Sequence, residues 1–304
     1  MTHNDKNRCS MTARAIVFAF MTFLAGASLA AEPVVVGGKK FTEQQLISEM
    51  TTQLLRSNGM TVDKRSDLGS TVLRAAQENG QVDIYWEYTG TSLIIYNKIK
   101  EKLDAQQTYE RVKRLDAAKG LTWLEPSKAN NTYAFAMRKT EAEAKGIVSI
   151  SDLASKVNDG EHLKFACNAE FYSRHDGLQP LQERYGFKFE RNDVMRMDGG
   201  LTYLALRQGQ ADVSLVLSTD GRVSAFGFVI LEDDKGFFPS YALTPVARTA
   251  FLDQNPKVAP LLNRLSASID SDSIAALNAR VDVGRESIEK VANEFLVRNK
   301  LITQ

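Results

Sequence analysis

Three tyrosines stand where predicted strands begin or end, a placement that suits recognition of an organic cation. Tyr88 ends the run "VDIYWEY", Tyr133 opens "TYAFAMR", and Tyr241 follows "KGFFPS" and precedes another strand. A tyrosine face attracts organic cations, and several rings together select a quaternary ammonium group, which cannot donate hydrogen bonds. The residues alone leave two alternatives open: a cation-binding cage, or tyrosines that simply pack in the core.

Small polar residues follow the same strand ends. They occur in the stretches "GGKKFTE", "LGSTV" and "YTGTS", each at the predicted start of a helix. Free backbone N–H groups and hydroxyls at such positions can bind a polar ligand, and in open α/β sheets ligands bind outside the carboxyl ends of the strands. Plain helix capping is the alternative for any one of them. The three together favour a shared cleft.

Catalytic and metal chemistry find little support in the sequence. Cys167 lies in the strand-like run "LKFACNAEF", where a cysteine is usually a small buried residue, and with His175 it forms the one candidate nucleophile–base pair. His162 and His175 have no ligand spacing between them, so no metal site and no cofactor are expected. Lys and Arg total 38 and Asp and Glu total 37, which gives no charge excess for nucleic acid or an anionic membrane.

The N-terminus has the layout of a secretory signal peptide. Three basic residues precede or border the apolar run "AIVFAFMTFLAGASLA", which is short for a membrane span, and Ser28 and Ala30 are small residues at a plausible cleavage site. We therefore expect residues 1–30 to be a signal peptide cleaved after Ala30, and a periplasmic protein. A short membrane anchor is the alternative.

The mature chain alternates predicted strands and helices. "PVVVGG" predicts a buried strand, and Thr42 with Gln45 predicts a capping box at the start of the next helix. Further strands are predicted in "TVDKRSDLG", "QVDIYWEY", "NTYAFAMR", "LKFACNAEF", "ADVSLVLS" and "SYALTPVAR", and residues 256–304 read as helices. The fold class is α/β with mostly parallel sheets.

An internal repeat indicates two lobes built on one plan. "RAAQENGQVDIYWEYTG" is similar to "LALRQGQADVSLVLSTDG", so that Asp83 aligns with Asp212 and Tyr88 aligns with Leu217. Chance similarity between βαβ units is the alternative. If the repeat is real, the second lobe presents a leucine where the first presents a tyrosine.

Seven stretches resemble the periplasmic glycine betaine, choline and carnitine-binding proteins of osmoprotectant ABC importers. They are "GGKKFTEQ", "LGST", "DIYWEYTGTSL", "NNTYAFAMR", "AEFYSRHDG", "STDGRV" and "FFPSYALTPVAR", in the same order along nearly the whole mature chain. The resemblance implies a two-lobed type II periplasmic binding protein fold with the ligand cleft between the lobes. We accordingly assign residues 31–134 and 242–304 to lobe 1 and residues 135–241 to lobe 2.

The resemblance also implies roles for individual residues. Tyr88, Tyr133 and Tyr241 match cage positions, and Arg174 matches the arginine that clamps a betaine carboxylate, for which an ion pair with Asp176 or Glu170 is the alternative. Two further residues fall beside the cage. Thr91 replaces the acid of choline-restricted members, and Lys39 would repel a trimethylammonium unless it points away or meets a carboxylate.

Leu217 departs from the family pattern, because relatives commonly carry tyrosine there. A leucine offers contact area without the ring electrostatics that attract a cation. The candidates for a compensating ring are Phe237, Phe238, Trp86 and Tyr172.

These observations predict a monomeric, non-enzymatic binding protein that hands a quaternary ammonium or betaine-type zwitterion to the membrane permease of an ABC importer. Because of Leu217, the same fold with a different ligand, such as an amino acid or another modified zwitterion, is the alternative. An enzyme using Cys167 and a periplasmic sensor domain are two further alternatives.

Overall fold

The computed structural model describes residues 32–101, 103–174 and 176–303. The predicted signal peptide lies outside these residues. Within them the strands are, in chain order, β1 (Val34–Lys39), β2 (Val62–Leu68), β3 (Ile84–Tyr88), β4 (Leu121–Trp123), β5 (Tyr133–Arg138), β6 (Phe165–Cys167), β7 (Val194–Arg196), β8 (Val213–Leu217), β9 (Phe228–Ile230) and β10 (Leu243–Arg248).

Helices connect these strands and close the chain. They are α1 (Thr42–Ser57), α2 (Ser70–Glu78), α3 (Thr89–Thr91), α4 (Ala105–Ala117), α5 (Lys139–Lys145), α6 (Ile150–Asn158), α7 (Ala169–Ser173), α8 (Leu178–Tyr185), α9 (Gly199–Arg207), α10 (Arg222–Ala225), α11 (Thr249–Gln254), α12 (Val258–Ala267), α13 (Ser271–Asp282) and α14 (Ile288–Arg298). A π-helical turn (Ser92–Tyr96) follows α3, and a 3-10 turn (Arg191–Asp193) precedes β7.

The strands form two five-stranded sheets of matching topology. The first has the order β2-β1-β3-β10-β4 and the second the order β7-β6-β8-β5-β9. In each sheet one strand, β10 or β5, runs antiparallel to both of its neighbours. The α/β class is confirmed, and the expectation of mostly parallel sheets is corrected to two mixed sheets. The antiparallel strand in each is the one that enters from the other sheet, which sequence periodicity does not reveal.

The repeat in the sequence has a structural counterpart. Asp83 and Val35 exchange backbone and side-chain hydrogen bonds beside β3, and Asp212 and Lys164 do the same beside β8. Arg248 pairs with Asp83 at 2.5 Å. The repeated aspartate therefore ties two neighbouring strands together in each sheet.

Strand β3 shows how the aromatic run divides between two faces. Trp86 packs with helix α1 and the C-terminal helices, and its Nε1 donates to Thr51 Oγ1 at 2.9 Å. Tyr85 packs on the opposite face, and its hydroxyl donates to Glu87 at 2.9 Å. Both rings are fully buried, so most of this run is core and Tyr88, at its end, is the residue nearest the gap between the sheets.

The capping box predicted at the start of α1 is wrong. Phe41 is the N-cap residue and makes no side-chain cap, and Thr42 is already helical. The Thr42 hydroxyl donates to Asp282 and Gln45 donates to Asp67, both at 2.5 Å. Both side chains therefore bond to residues distant in sequence and not to the backbone of the helix start. The local sequence pattern cannot predict such distant partners.

Candidate functional site

A cavity of about 350 Å³ lies between the two sheets, where the strand ends meet. The seven residues that the sequence analysis proposed as ligand contacts all line it: Lys39, Tyr88, Thr91, Tyr133, Arg174, Leu217 and Tyr241. The remaining lining residues are Phe41, Ser70, Thr71, Ile95, Asn131 and Glu170. The structure thus brings together side chains as far apart in the chain as Lys39 and Tyr241.

The three tyrosines are held in different ways. Tyr88 is 5% exposed and its hydroxyl donates to Glu43 at 2.6 Å. The Tyr133 hydroxyl accepts from Asn168 at 3.4 Å, and its ring tilts against Phe171. Burial raises the pKa of Tyr241 to about 12. Burial also raises the pKa of Tyr88 and of Tyr133, so all three hydroxyls stay neutral at physiological pH.

Gly90 makes room for the ring of Tyr241. A Cβ on Gly90 would lie 2.8 Å from two carbons of that ring and 2.7 Å from the carbonyl oxygen of Ser240. Real side chains do not approach this closely, so any larger residue would displace the ring or the backbone. The glycine in "YTGTS" is therefore a packing requirement of the cavity wall.

Glu43 is a buried carboxylate beneath the tyrosine wall that joins distant segments. It accepts hydrogen bonds from Tyr88 at 2.6 Å, Thr219 at 2.5 Å, Asn131 at 2.9 Å and Asn278 at 3.3 Å. Burial raises the pKa of Glu43, and these donors oppose the rise. The donors come from β3, the segment between β4 and β5, the loop after β8, and α13. One carboxylate thus links both sheets to the C-terminal helices.

Lys39 meets a carboxylate, as one of the sequence alternatives required. Its Nζ lies 2.5 Å from Glu87 Oε1, and both side chains are almost completely buried. The same Nζ lies 5.0 Å from the centre of the Tyr88 ring. Because the charge of Lys39 is paired, its repulsion of a ligand cation is reduced.

Arg174 is paired on both sides by acids. Its Nε and Nη2 donate to the two oxygens of Asp176 at 2.7 and 2.5 Å, and its Nη1 donates to Glu170 at 3.0 Å. The Asp176 hydrogen bonds are the main cause that raises the pKa of the guanidinium, which is permanently charged. The ion pairs that the sequence offered as an alternative are present, and Arg174 also lines the cavity.

Leu217 ends β8 as Tyr88 ends β3. It lies opposite Tyr133 in the β5–β8 pair, while Tyr88 lies opposite Leu243 in the β3–β10 pair. The backbone N–H of Leu217 donates to the hydroxyl of Tyr203 at 2.9 Å, so this strand end is fixed although its side chain is apolar. The cavity wall is therefore aromatic on one sheet and aliphatic at the matching position of the other.

Phe41 was missed from the sequence and is the additional ring of the cavity. It is 37% exposed and stacks on Tyr88 with centroids 6.3 Å apart and planes 22° apart. None of the four rings proposed as compensation, all of them among the described residues, lines the cavity. The signal was available, because Phe41 follows the first strand in "GGKKFTE", at the same kind of strand end that drew attention to the tyrosines.

The nucleophile candidate Cys167 is not among the residues that line the cavity. Cys167 is buried in β6, and burial raises the pKa of its thiol to about 12, so it is not a thiolate at neutral pH. His175 lies outside the described residues. Within the described ranges no group of His, Cys, Asp or Glu could hold a metal ion, and no helix is long and apolar enough to cross a membrane.

Comparison with known proteins identifies the family to which the chain belongs. A family described as the substrate binding domain of ABC-type glycine betaine transport system matches residues 32–298. The chain is 45% identical to the glycine-betaine-binding protein of Pseudomonas aeruginosa over 95% of each chain.

A second relative supplies a structure as well. The chain is 36% identical to the glycine betaine-binding protein YehZ of Escherichia coli, over 91% of this chain and 94% of the relative. The apo structure of YehZ covers 89% of this chain and all of that one, with a TM-score of 0.76 and 35% identity.

A third likeness is a crystal structure titled glycine betaine/carnitine/choline ABC transporter. It has a TM-score of 0.81 and 30% identity and covers 88% of this chain and 99% of that one. These relatives are substrate-binding proteins and not enzymes. The chain belongs to the family of substrate-binding domains of ABC-type glycine betaine transport systems.

Proposed function

We propose that this protein captures a quaternary ammonium or betaine-type zwitterion between its lobes and delivers it to an ABC import permease. The observation that carries the proposal is the convergence of Tyr88, Tyr133 and Tyr241 on one cavity that also contains a guanidinium. Each ring contributes about 0.5–2 kcal/mol to binding of a desolvated cation. Three rings and a carboxylate contact are enough for micromolar affinity, about −8 kcal/mol.

Arg174 is proposed to bind the carboxylate of the ligand. Asp176 holds the Nε and Nη2 side of the guanidinium, which fixes its plane relative to the cavity. The ligand carboxylate then takes the remaining N–H groups or replaces Glu170, whose side chain is 64% exposed and whose bond to Arg174 is the longest of the three. A charge-assisted contact of this kind favours zwitterions over bare cations.

Lys39 and Thr91 are proposed to tune which ligand is accepted. The Lys39–Glu87 ion pair adds no net negative charge beside the Tyr88 ring to favour a bare cation such as choline. Thr91 adds a neutral hydroxyl at the end of α3. Both features favour a ligand that carries its own carboxylate.

A second candidate function keeps the role and changes the ligand to an amino acid or another modified zwitterion. Leu217 supports it, because the aliphatic side chain opens space where the matching strand end has a ring. Phe41 restores an aromatic surface on the other side of this space. The cavity therefore suits a zwitterion that is bulkier than glycine betaine as well.

The transport cycle is proposed to use hinge closure without catalysis. Lobe 1 (residues 31–134 and 242–304) and lobe 2 (residues 135–241) close over the ligand and remove water from the ammonium group and the carboxylate. The permease then recognises the closed monomer in the periplasm, which the chain reaches through the signal peptide of residues 1–30. The strands of the first sheet, which end at Trp123 and resume at Leu243, support this division of the chain.

Calorimetry on the purified chain without residues 1–30 tests the proposal. Glycine betaine, carnitine, proline betaine and choline are titrated separately, and thermal unfolding is recorded with each. We expect one-to-one binding of at least one zwitterion, weaker binding of choline, and no turnover of any of them. No heat and no thermal shift with the whole panel would refute the quaternary ammonium proposal.

A further inference from the structure

A second cavity of about 320 Å³ adjoins the cage cavity. Phe41, Asn131 and Leu217 line both of them. The second cavity continues from these residues toward the loop after β8 and helix α13, where Asp220 and Asp282 line it. A ligand bound in the cage therefore has a neighbouring space into which a substituent can extend beside Leu217.

Negative charge exceeds positive charge in the second cavity. Its charged lining consists of Glu43, Asp220 and Asp282 against Arg222. Arg222 is already paired with both oxygens of Asp220, at 2.9 and 2.6 Å. Asp282 accepts a hydrogen bond from the hydroxyl of Thr42, and no cation of the described residues forms an ion pair with it. The Asp282 carboxylate thus lines this cavity without a direct ion pair, although the charge of the nearby Arg222 also acts on it.

Two amide oxygens in the lining also lack a donor. The side-chain N–H groups of Asn131 and Asn278 both donate to Glu43, which fixes which way each amide points. The Oδ1 atoms of these two asparagines are buried and have no hydrogen-bond partner among the described residues. The residues themselves are only 8% and 4% exposed. Buried acceptors without donors are rare, and they indicate a site that a donor completes.

The walls of the second cavity are already in contact with each other. Thr219, from the loop after β8, donates to Glu43 on α1, and its carbonyl accepts from Asn278 on α13. Gly221 packs so closely on Ala279 of α13 that a Cβ would lie 2.2 Å from its backbone nitrogen. The second cavity is therefore built by segments of both proposed lobes that are in contact in this structure.

We propose that the second cavity binds a cationic, N–H-donating side group of the ligand, so that the protein accepts betaines substituted at the α-carbon. The inference rests on the proposed function, because the trimethylammonium and carboxylate of the same ligand occupy the cage and Arg174. The side group passes Leu217, where a tyrosine would narrow the passage, and its charge meets Asp282. The leucine at position 217 then widens the range of ligands that the protein accepts.

A matched pair of ligands tests this directly. Nα,Nα,Nα-trimethyl-ornithine and Nα,Nα,Nα-trimethyl-norleucine share the ammonium, the carboxylate and the chain length, and differ in a terminal ammonium against a methyl group. Calorimetry is expected to give a Kd at least tenfold lower for the ornithine compound. Equal affinities, or tighter binding of the norleucine compound, would overturn the inference.

Three variants test whether the affinity difference between the two compounds arises in the second cavity. Asp282→Asn is expected to bring the ratio of the two affinities close to one, whereas Asp272→Asn, an exposed acid at the other end of the same helix, is expected to keep the ratio of the unchanged protein. Leu217→Tyr is expected to weaken both substituted ligands at least tenfold. If the ratio survives Asp282→Asn, or both substituted ligands bind Leu217→Tyr unchanged, the side group lies elsewhere and the inference is wrong.

Glycine betaine separates this inference from the proposed function. If glycine betaine binds and the ornithine compound has no advantage, the cage proposal stands and the second cavity has no such role. If no trimethylammonium compound binds, both proposals fail together.

Discussion

Replacing Gly90 by alanine should damage ligand binding through the ring of Tyr241. In an exposed helical position this change would stabilise the chain by about 1 kcal/mol, because glycine is the poorer helix former. Here the added Cβ would lie 2.8 Å from two ring carbons, and ordinary contact requires the ring to move by about 1 Å. Overpacking of this kind costs about 1–3 kcal/mol, so the free energy of unfolding is expected to fall.

The same displacement should weaken the cage. Loss of one well-placed ring removes about 0.5–2 kcal/mol of binding, which corresponds to a rise in Kd of about 2- to 30-fold. Calorimetry with the tightest ligand of the panel measures Kd, and urea unfolding measures stability. Gly69→Ala is the matched control, because Gly69 precedes α2 and a Cβ there meets nothing within 4 Å. Unchanged Kd and unchanged stability in Gly90→Ala would refute the claim that this glycine makes room for the ring of Tyr241.

Three other predictions concern the cage, the clamp and the core. Tyr133→Ala should raise the Kd for a quaternary ammonium ligand at least tenfold, and unchanged affinity in calorimetry would remove the cage hypothesis. Arg174→Ala should weaken glycine betaine and carnitine far more than choline, so equal losses for all three ligands would reject the clamp. Asp116, bound to Arg74 at 2.8 and 2.6 Å, has its pKa lowered from 3.8 to about 2, by hydrogen bonds and charge from Arg74 that outweigh burial. Because a lowered carboxylate pKa stabilises the fold above the unfolded pKa and this contribution is lost as pH falls through the folded value, Asp116→Asn should lower the free energy of unfolding by about 3 kcal/mol at pH 7. Urea unfolding between pH 5 and about 2 should show the gap between the two proteins shrinking, and a gap that does not depend on pH would contradict the assignment.

Local patterns were sufficient to predict most strands and helices. The run around Tyr85 and Trp86 follows the two-residue alternation of a strand, and its two faces are buried in different clusters as expected. The internal repeat aligned Leu217 with Tyr88 in the sequence, and in the structure both residues end the corresponding strands of the two sheets. Where a side chain is positioned by its own strand, the sequence is informative.

Side chains positioned by distant partners could not be predicted in the same way. From the sequence, Lys39 could either point away from the ligand or pair with a carboxylate. The structure decides for the second, because Glu87 on a neighbouring strand pairs with it. Thr42 looked like half of a capping box, yet its hydroxyl bonds to Asp282, which is 240 residues away. Phe41 was overlooked because a single apolar residue between Lys40 and Thr42 carries no periodic signal, although it does follow a strand end. Such choices depend on which surfaces meet in space.

The two matching strand ends differ in how freely they can be altered. Tyr88 is anchored through Glu43, so removing its hydroxyl also disturbs Asn131, Thr219 and the contact to α13. The side chain of Leu217 has no such anchor, and its strand end is held through the backbone. If the proposed function holds, substitutions at Leu217 are expected to change ligand preference while Tyr88 keeps the architecture intact, which makes Leu217 a natural starting point for engineering sensors with new specificities.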